Sequence, residues 1–323
     1  LIKMDNDCIA ADRLAASAAY VIFLAVKAVL CYLAIILLVW HLKRNGIRWL
    51  VHANTKVVFS AYLGFNFIAS AAFGVIYTID ALRLWLGGPC PLLDFRIVFT
   101  LRGIGIIALM GEILCALVLS LERLYSSLFP VHFEKSGCVL LSWILVFLSL
   151  LAATSVMVAF LVPLANFDKL VPTTNLKQDE TADGYQKMIH VMIGMELTAI
   201  ITFHFGMLVN YCRRANPASS SSIALLYQLK ENAAVIATML PIEYTHSAFM
   251  CIITFGMALY PRVSYIRHFL VHLNSIFKVL SLPAIFTLFL VLILEYKIDG
   301  RRRRLRHSVI SNEAAIYFQN LRR

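Results

Sequence analysis

Six ionisable residues interrupt long apolar runs: Lys27, Arg102, Glu112, Glu196, Glu243 and Lys278. Each costs at least ~2.5–3.5 kcal/mol at mid-bilayer on insertion scales, so such groups turn toward one another or toward a polar cavity. Three are basic and three acidic, the balance that mutual pairing needs. His246 follows Glu243 by three residues and shares its helix face. Two readings stay open for the set: structural ion pairs that fix packing, or the lining of a ligand pocket open at one end. A second kind of chemistry is offered by His268 and His272, whose i, i+4 spacing is half of a zinc site. It opens a membrane-embedded metal hydrolase as the enzyme alternative, with His190 or His246 as the third ligand. Finally, Glu122 and Arg123 adjoin at the end of an apolar run. A charged, hydrogen-bonded pair in that place can act as a two-state latch.

These residues need helices to hold them. The chain has 323 residues, 60% hydrophobic and 15% charged, with a mean hydropathy of +0.79. Ordinary soluble domains carry roughly 45–50% apolar and about 25% charged residues, so a soluble enzyme, a disulfide scaffold and a disordered chain are excluded. A crossing helix takes about 20 apolar residues, and seven segments qualify. They run from Ala15 to Trp40, Thr55 to Ile79, Ile97 to Leu121, Cys138 to Leu164, Met188 to Tyr211, Ala233 to Tyr260 and Phe269 to Leu294. The runs are continuous rather than alternating, which excludes a β-barrel. The expected fold is an all-α membrane protein, a seven-transmembrane helix bundle over residues 15–294. A polar stretch, residues 1–14, precedes it, and a basic tail, residues 295–323, follows. Pro241 and Pro283 fall inside the sixth and seventh spans, where each removes a backbone hydrogen bond.

The formal net charge is +11. The loops after spans one, three and five, with the tail, hold 17 basic and 6 acidic residues. The opposite face holds 9 of each, and the spans 3 of each. The whole excess lies on one face, beside anionic lipid headgroups rather than nucleic acid. The positive-inside rule then puts the N-terminus outside and the C-terminus in the cytosol, with the run Arg301-Arg302-Arg303-Arg304 deciding the orientation. Of seven cysteines, only Cys8 and Cys90 fall on the outer face. They form either a bridge that pins the N-terminus to the mouth of the third span or two free thiols.

Several segments carry a resemblance. Cys90 precedes the third span, Arg102 lies just inside it, and Leu121-Glu122-Arg123-Leu124 followed by Tyr125-Ser126-Ser127 closes it. Phe133-Glu134-Lys135-Ser136-Gly137 comes about ten residues later, Val51-His52-Ala53-Asn54-Thr55-Lys56 opens the second span, and Tyr317-Phe318-Gln319-Asn320-Leu321 lies in the tail. The chain resembles the nematode chemosensory seven-helix receptors of the Sra superfamily, in particular the Srab group. The acid–arginine pair is similar to that of rhodopsin-type G-protein-coupled receptors. Departures are visible. Val51 and Ser126-Ser127 replace the usual residues of the motifs, Leu282-Pro283-Ala284 keeps only the proline of the rhodopsin-type seventh helix, and no cysteine lies between Ala165 and Lys187. A disulfide from the third helix to that loop is therefore impossible, which favours a Cys8–Cys90 pairing.

The resemblance implies a receptor of the plasma membrane, in sensory neurons by family likeness, without catalysis or cofactor. Its ligand is an external small molecule or short peptide, with Arg102, Glu112, Glu196, Glu243, His246 and Lys278 as pocket candidates. Its partner is a heterotrimeric G protein, coupled through Glu122, Arg123, His132, Glu134, Arg213 and Arg214, beside anionic membrane lipids. A retinal protein is disfavoured, since Pro283 follows Lys278 by five residues. That is two short of the retinal-binding spacing, about 200° around a helix. A seven-helix channel or transporter is the remaining alternative.

Overall fold

The first helix, α1 (Ile2–Ala16), stops at Ser17, an extended residue whose side-chain hydroxyl oxygen caps the next helix by accepting a hydrogen bond from the Tyr20 amide at 3.4 Å. From there the computed structural model is a helical bundle, describing residues 2–46, 52–88, 90–129, 132–133, 139–172, 181–215, 223–259 and 284–300. Its long helices are α2 (Ala18–Asn45), α3 (Ala53–Leu86), α4 (Phe95–Leu128), α5 (Val139–Leu161), α6 (Ala182–Ala215), α7 (Ile223–Leu259) and α8, residues 284–300. Five of them, α2 to α6, are long and apolar enough to cross a membrane among the described residues. The sixth expected span lies in α7. Of the seventh, residues 284–294 form the first part of α8, and the stretch before them, with Lys278 and Pro283, lies outside the described residues.

Burial is one-sided in helices that are apolar all round. On α2 the buried residues Val21, Leu24, Ala28, Cys31, Ala34, Leu38 and His41 form one stripe, while Ile22, Val26, Val29 and Ile36 stay exposed. An outward apolar face is what lipid contact allows and water would penalise. The central α4 is covered on several sides, and small residues let its neighbours approach. A methyl on Gly111 would meet the Phe65 ring at 2.9 Å, and one on Gly105 the Phe73 ring at 3.0 Å. Pro241 sits inside α7, where it deprives the Ala237 carbonyl of its helical donor.

The two ends differ. One, here the N-face, carries the α3–α4 and α5–α6 connections. There β1 (Leu93–Asp94) pairs antiparallel with β2 (Leu170–Val171), and Cys8 is joined to Cys90 in a disulfide with Cα atoms 4.6 Å apart. At the opposite C-face, Glu295 of α8 accepts hydrogen bonds from His41 at 2.8 Å and Asn45 at 2.7 Å, tying the last described helix to α2.

The helices overrun the expected spans. α3 continues past Ile79 to Leu86, so Asp80, expected in a loop, is a helical and nearly fully buried residue. Hydropathy ends the span early because Asp80 and Arg83 are charged. The structure keeps both in the helix as an i, i+3 pair at 2.6 Å.

Candidate functional site

At the C-face end of α4, Arg123 is fully buried and held by three helices. Its Nη2 donates to Thr55 Oγ1 of α3 at 2.6 Å and to Glu122 Oε1 at 2.8 Å, and its Nη1 donates to Asn232 Oδ1 of α7 at 3.0 Å. Thr55 passes the polarity on by donating its own hydrogen to Glu122 Oε1 at 2.9 Å. The Phe133 ring lies 5.4 Å from the guanidinium carbon and packs edge-on against His52. A buried arginine needs such partners, because desolvating the charge alone would be prohibitive. The local sequence prepares the site: Ser126 and Ser127 both return their hydroxyls to the Arg123 carbonyl. His132 lies beside it, 3.1 Å from the Tyr125 hydroxyl. Arg214 is exposed and Arg213 half-buried at the end of α6, on the same face. Glu134 falls outside the described residues.

A second polar centre fills the middle of the bundle. Glu196 of α6 and His246 of α7 form a buried pair at 2.6 Å, and the His246 ring meets Phe286 of α8 edge-on. On the α3 side, Asn66 donates to Glu112 Oε1 at 3.0 Å and accepts from Thr287 at 2.7 Å, while Thr287 also meets Ser70 at 3.1 Å. Glu243 is buried too, and Glu112, Glu196 and Glu243 all lie within electrostatic reach of His246. The structure thus brings four of the six pocket candidates together, from α4, α6 and α7.

Arg102 is not with them. It lies ten residues before Glu112 on α4, about 15 Å along the axis, over the Phe73 and Tyr77 rings at 5.9 and 5.6 Å. Lys27 shares the Tyr77 ring, with its Nζ 5.0 Å from the centroid. Among the described members of the set, Glu196 contacts His246, Glu112 contacts the Asn66 amide, and Lys27 and Arg102 lie over aromatic faces. The described cations sit in the N-face half and the acids nearer the centre, and an aromatic face attracts a cation. The acids are buried, 0–1% exposed, between α4, α6 and α7. Lys278, His268 and His272 lie outside the described residues. Among the described ones no group of three His, Cys, Asp or Glu side chains could hold a metal ion.

Sequence reasoning missed Thr55, Asn232, Asn66, Thr287 and the Phe133 cap as members of these centres. Thr55 and Phe133 stand in the motif segments, where their types gave a signal. Asn232 follows Lys230 and Glu231 just before the expected sixth span and looks like any interfacial polar residue, although α7 already runs from Ile223.

No curated protein is similar enough to match the chain. A family model does match, over residues 5–323: that of the serpentine type 7TM GPCR receptor class ab chemoreceptors. With the seven-helix pattern, the membrane-length helices and the Glu122–Arg123 cluster in place, the chain belongs to this family of serpentine class ab chemoreceptors.

Proposed function

We propose that the chain binds an external small molecule or short peptide from its N-face and activates a heterotrimeric G protein at its C-face. Family membership makes it an integral plasma-membrane receptor of the chemosensory kind; the side of ligand entry and the coupling go beyond that membership. The observation that carries it is the Arg123 cluster, which joins α3, α4 and α7 through one buried guanidinium at one end of the bundle. Swinging α7 away would break the Asn232 contact and uncover the arginine for a partner, a population shift between two discrete packings. Glu122, Arg123, His132, Glu134, Arg213 and Arg214 would form the partner surface, and the tail arginines would lie against anionic lipid.

The Cys8–Cys90 bridge supports placing the N-face outside, since disulfides persist in oxidising compartments. So does the charge count, with 17 basic against 6 acidic residues on the C-face. The central group of Glu112, Glu196, Glu243 and His246 lies between the two faces and touches α4, α6 and α7. A ligand that displaces the Glu196–His246 contact would therefore act on the helix that carries Asn232. The test is a ligand screen in cells expressing the chain with a promiscuous Gα, with Arg123→Ala as control. A ligand signal that is lost in Arg123→Ala supports the proposal. A ligand signal equal in both proteins overturns the arginine's role.

A further inference from the structure

The α5–α6 connection has no cysteine between Ala165 and Lys187, yet residues 165–172 are placed tightly at the N-face. Val171 is buried in the same apolar core as Phe95 and Val98, so the loop plugs the end of the bundle. Phe167 packs edge-on against Phe99 at 5.0 Å. The ladder beneath is two residues per strand, far too short to hold by itself. The Arg96–Asp168 pair at 2.5 Å is largely exposed and adds little.

Arg96 Nε also donates to the Phe167 carbonyl at 3.2 Å and the Phe95 amide to the Lys169 carbonyl at 3.1 Å, but the densest set of contacts comes from Arg83, in the last turn of α3. Its Nη1 donates to the carbonyls of Pro91 at 2.7 Å and Val171 at 3.3 Å, and its Nη2 donates to the carbonyl of Pro172 at 2.9 Å. Nη2 also donates to buried Asp80 at 2.6 Å. One planar fork thus gathers carbonyls from both N-face loops, while the carboxylate one turn below fixes its rotation and offsets its charge. Lysine could keep the Asp80 pair but not the fork, because an ammonium is a point charge without fixed planar donors.

We propose that Arg83 is a positioning residue that clamps residues 165–172 as a closed lid on the N-face, in the role that a loop-to-helix disulfide would otherwise fill. Because three carbonyls converge on one guanidinium, loss of the fork frees the lid as a unit while leaving the helices packed. This goes beyond the proposed signalling function, and its test reads the lid itself, so it stands or falls separately from ligand and G-protein coupling.

The experiment is hydrogen–deuterium exchange of the full chain in lipid nanodiscs, following peptides that cover 91–95 and 167–172. In Arg83→Gln and in Arg83→Lys, exchange in these peptides is expected to rise by on the order of tenfold or more, with mid-helix peptides of α4 and α6 unchanged. Adding Leu93→Cys and Val171→Cys, which replace facing residues of the ladder, to Arg83→Gln should restore protection once the new disulfide is confirmed by mass. Lid exchange within about twofold of wild type in Arg83→Gln overturns the proposal. So does wild-type protection in Arg83→Lys, an equal rise throughout the helices, or failure of the formed disulfide to rescue.

Discussion

Deleting the Asn232 amide removes one arm of the Arg123 latch without orphaning the arginine, which keeps Thr55 and Glu122. The lost contact is a buried 3.0 Å hydrogen bond to a charged group, of a class worth about 1.5–3 kcal/mol. A conformer with α7 swung away does not make this bond, so Asn232→Ala raises the open-to-closed ratio by roughly 10- to 150-fold. A receptor about 1% open at rest would become about 10–60% open. The assay is ligand-independent nucleotide exchange on Gα in membranes, at matched surface expression. Asn232→Ala should exchange well above wild type, nearer the lower end of that range because two arms remain. Asn232→Asp keeps the acceptor and adds a negative charge beside the guanidinium, so it should fall below wild type. Basal exchange in Asn232→Ala at or below the wild-type level would refute the latch, and a rise in Asn232→Asp would refute its electrostatic basis.

Three further outcomes follow from the packing. Glu196→Ala strands His246 in the core and should cost about 3–5 kcal/mol. Adding His246→Leu to Glu196→Leu should then cost clearly less than the two single changes summed, in thermal unfolding of purified protein; strict additivity would show the pair to be uncoupled. Gly184→Ala drives a methyl into the Phe160 carbonyl oxygen, a backbone atom of α5, whereas Gly103→Ala meets only the flexible end of Met157. The first should lower stability by about 1–3 kcal/mol and the second by less; the reverse order of melting temperatures contradicts the helix packing described. Non-reducing peptide mapping should recover Cys8 linked to Cys90, with the exposed Cys212 alkylated as a free thiol. Recovery of Cys8 as a free thiol contradicts the N-face arrangement.

The spans were legible because lipid imposes a length of apolar sequence that few soluble segments reach. Their ends were not. Asp80 and Arg83 look like loop residues to hydropathy, and only the carbonyls of the following loop and of the distant α5–α6 connection explain why both stay in α3. The Glu122–Arg123 pair was legible because its members are neighbours in sequence. Its other partners stand 68 and 109 residues from Arg123, as ordinary polar residues at the expected span boundaries. The central acids could be found by type, but not paired. In helices that are apolar all round the pattern does not fix which face turns inward, so nothing separated a Lys27 or Arg102 partner from His246 or Asn66. The rotation comes from packing, and with it the division into a cationic, aromatic cluster near the N-face and an acidic core below.

The central claim is that ligand occupancy on one side releases Arg123 to a G protein on the other. Its most direct test is nucleotide exchange on purified heterotrimer, by the chain reconstituted in nanodiscs, with a ligand identified in the cell screen. Ligand-dependent exchange should disappear in Arg123→Ala while ligand binding persists. Undiminished exchange in Arg123→Ala, or ligand-gated ion flux through vesicles holding the chain without any G protein, would contradict it.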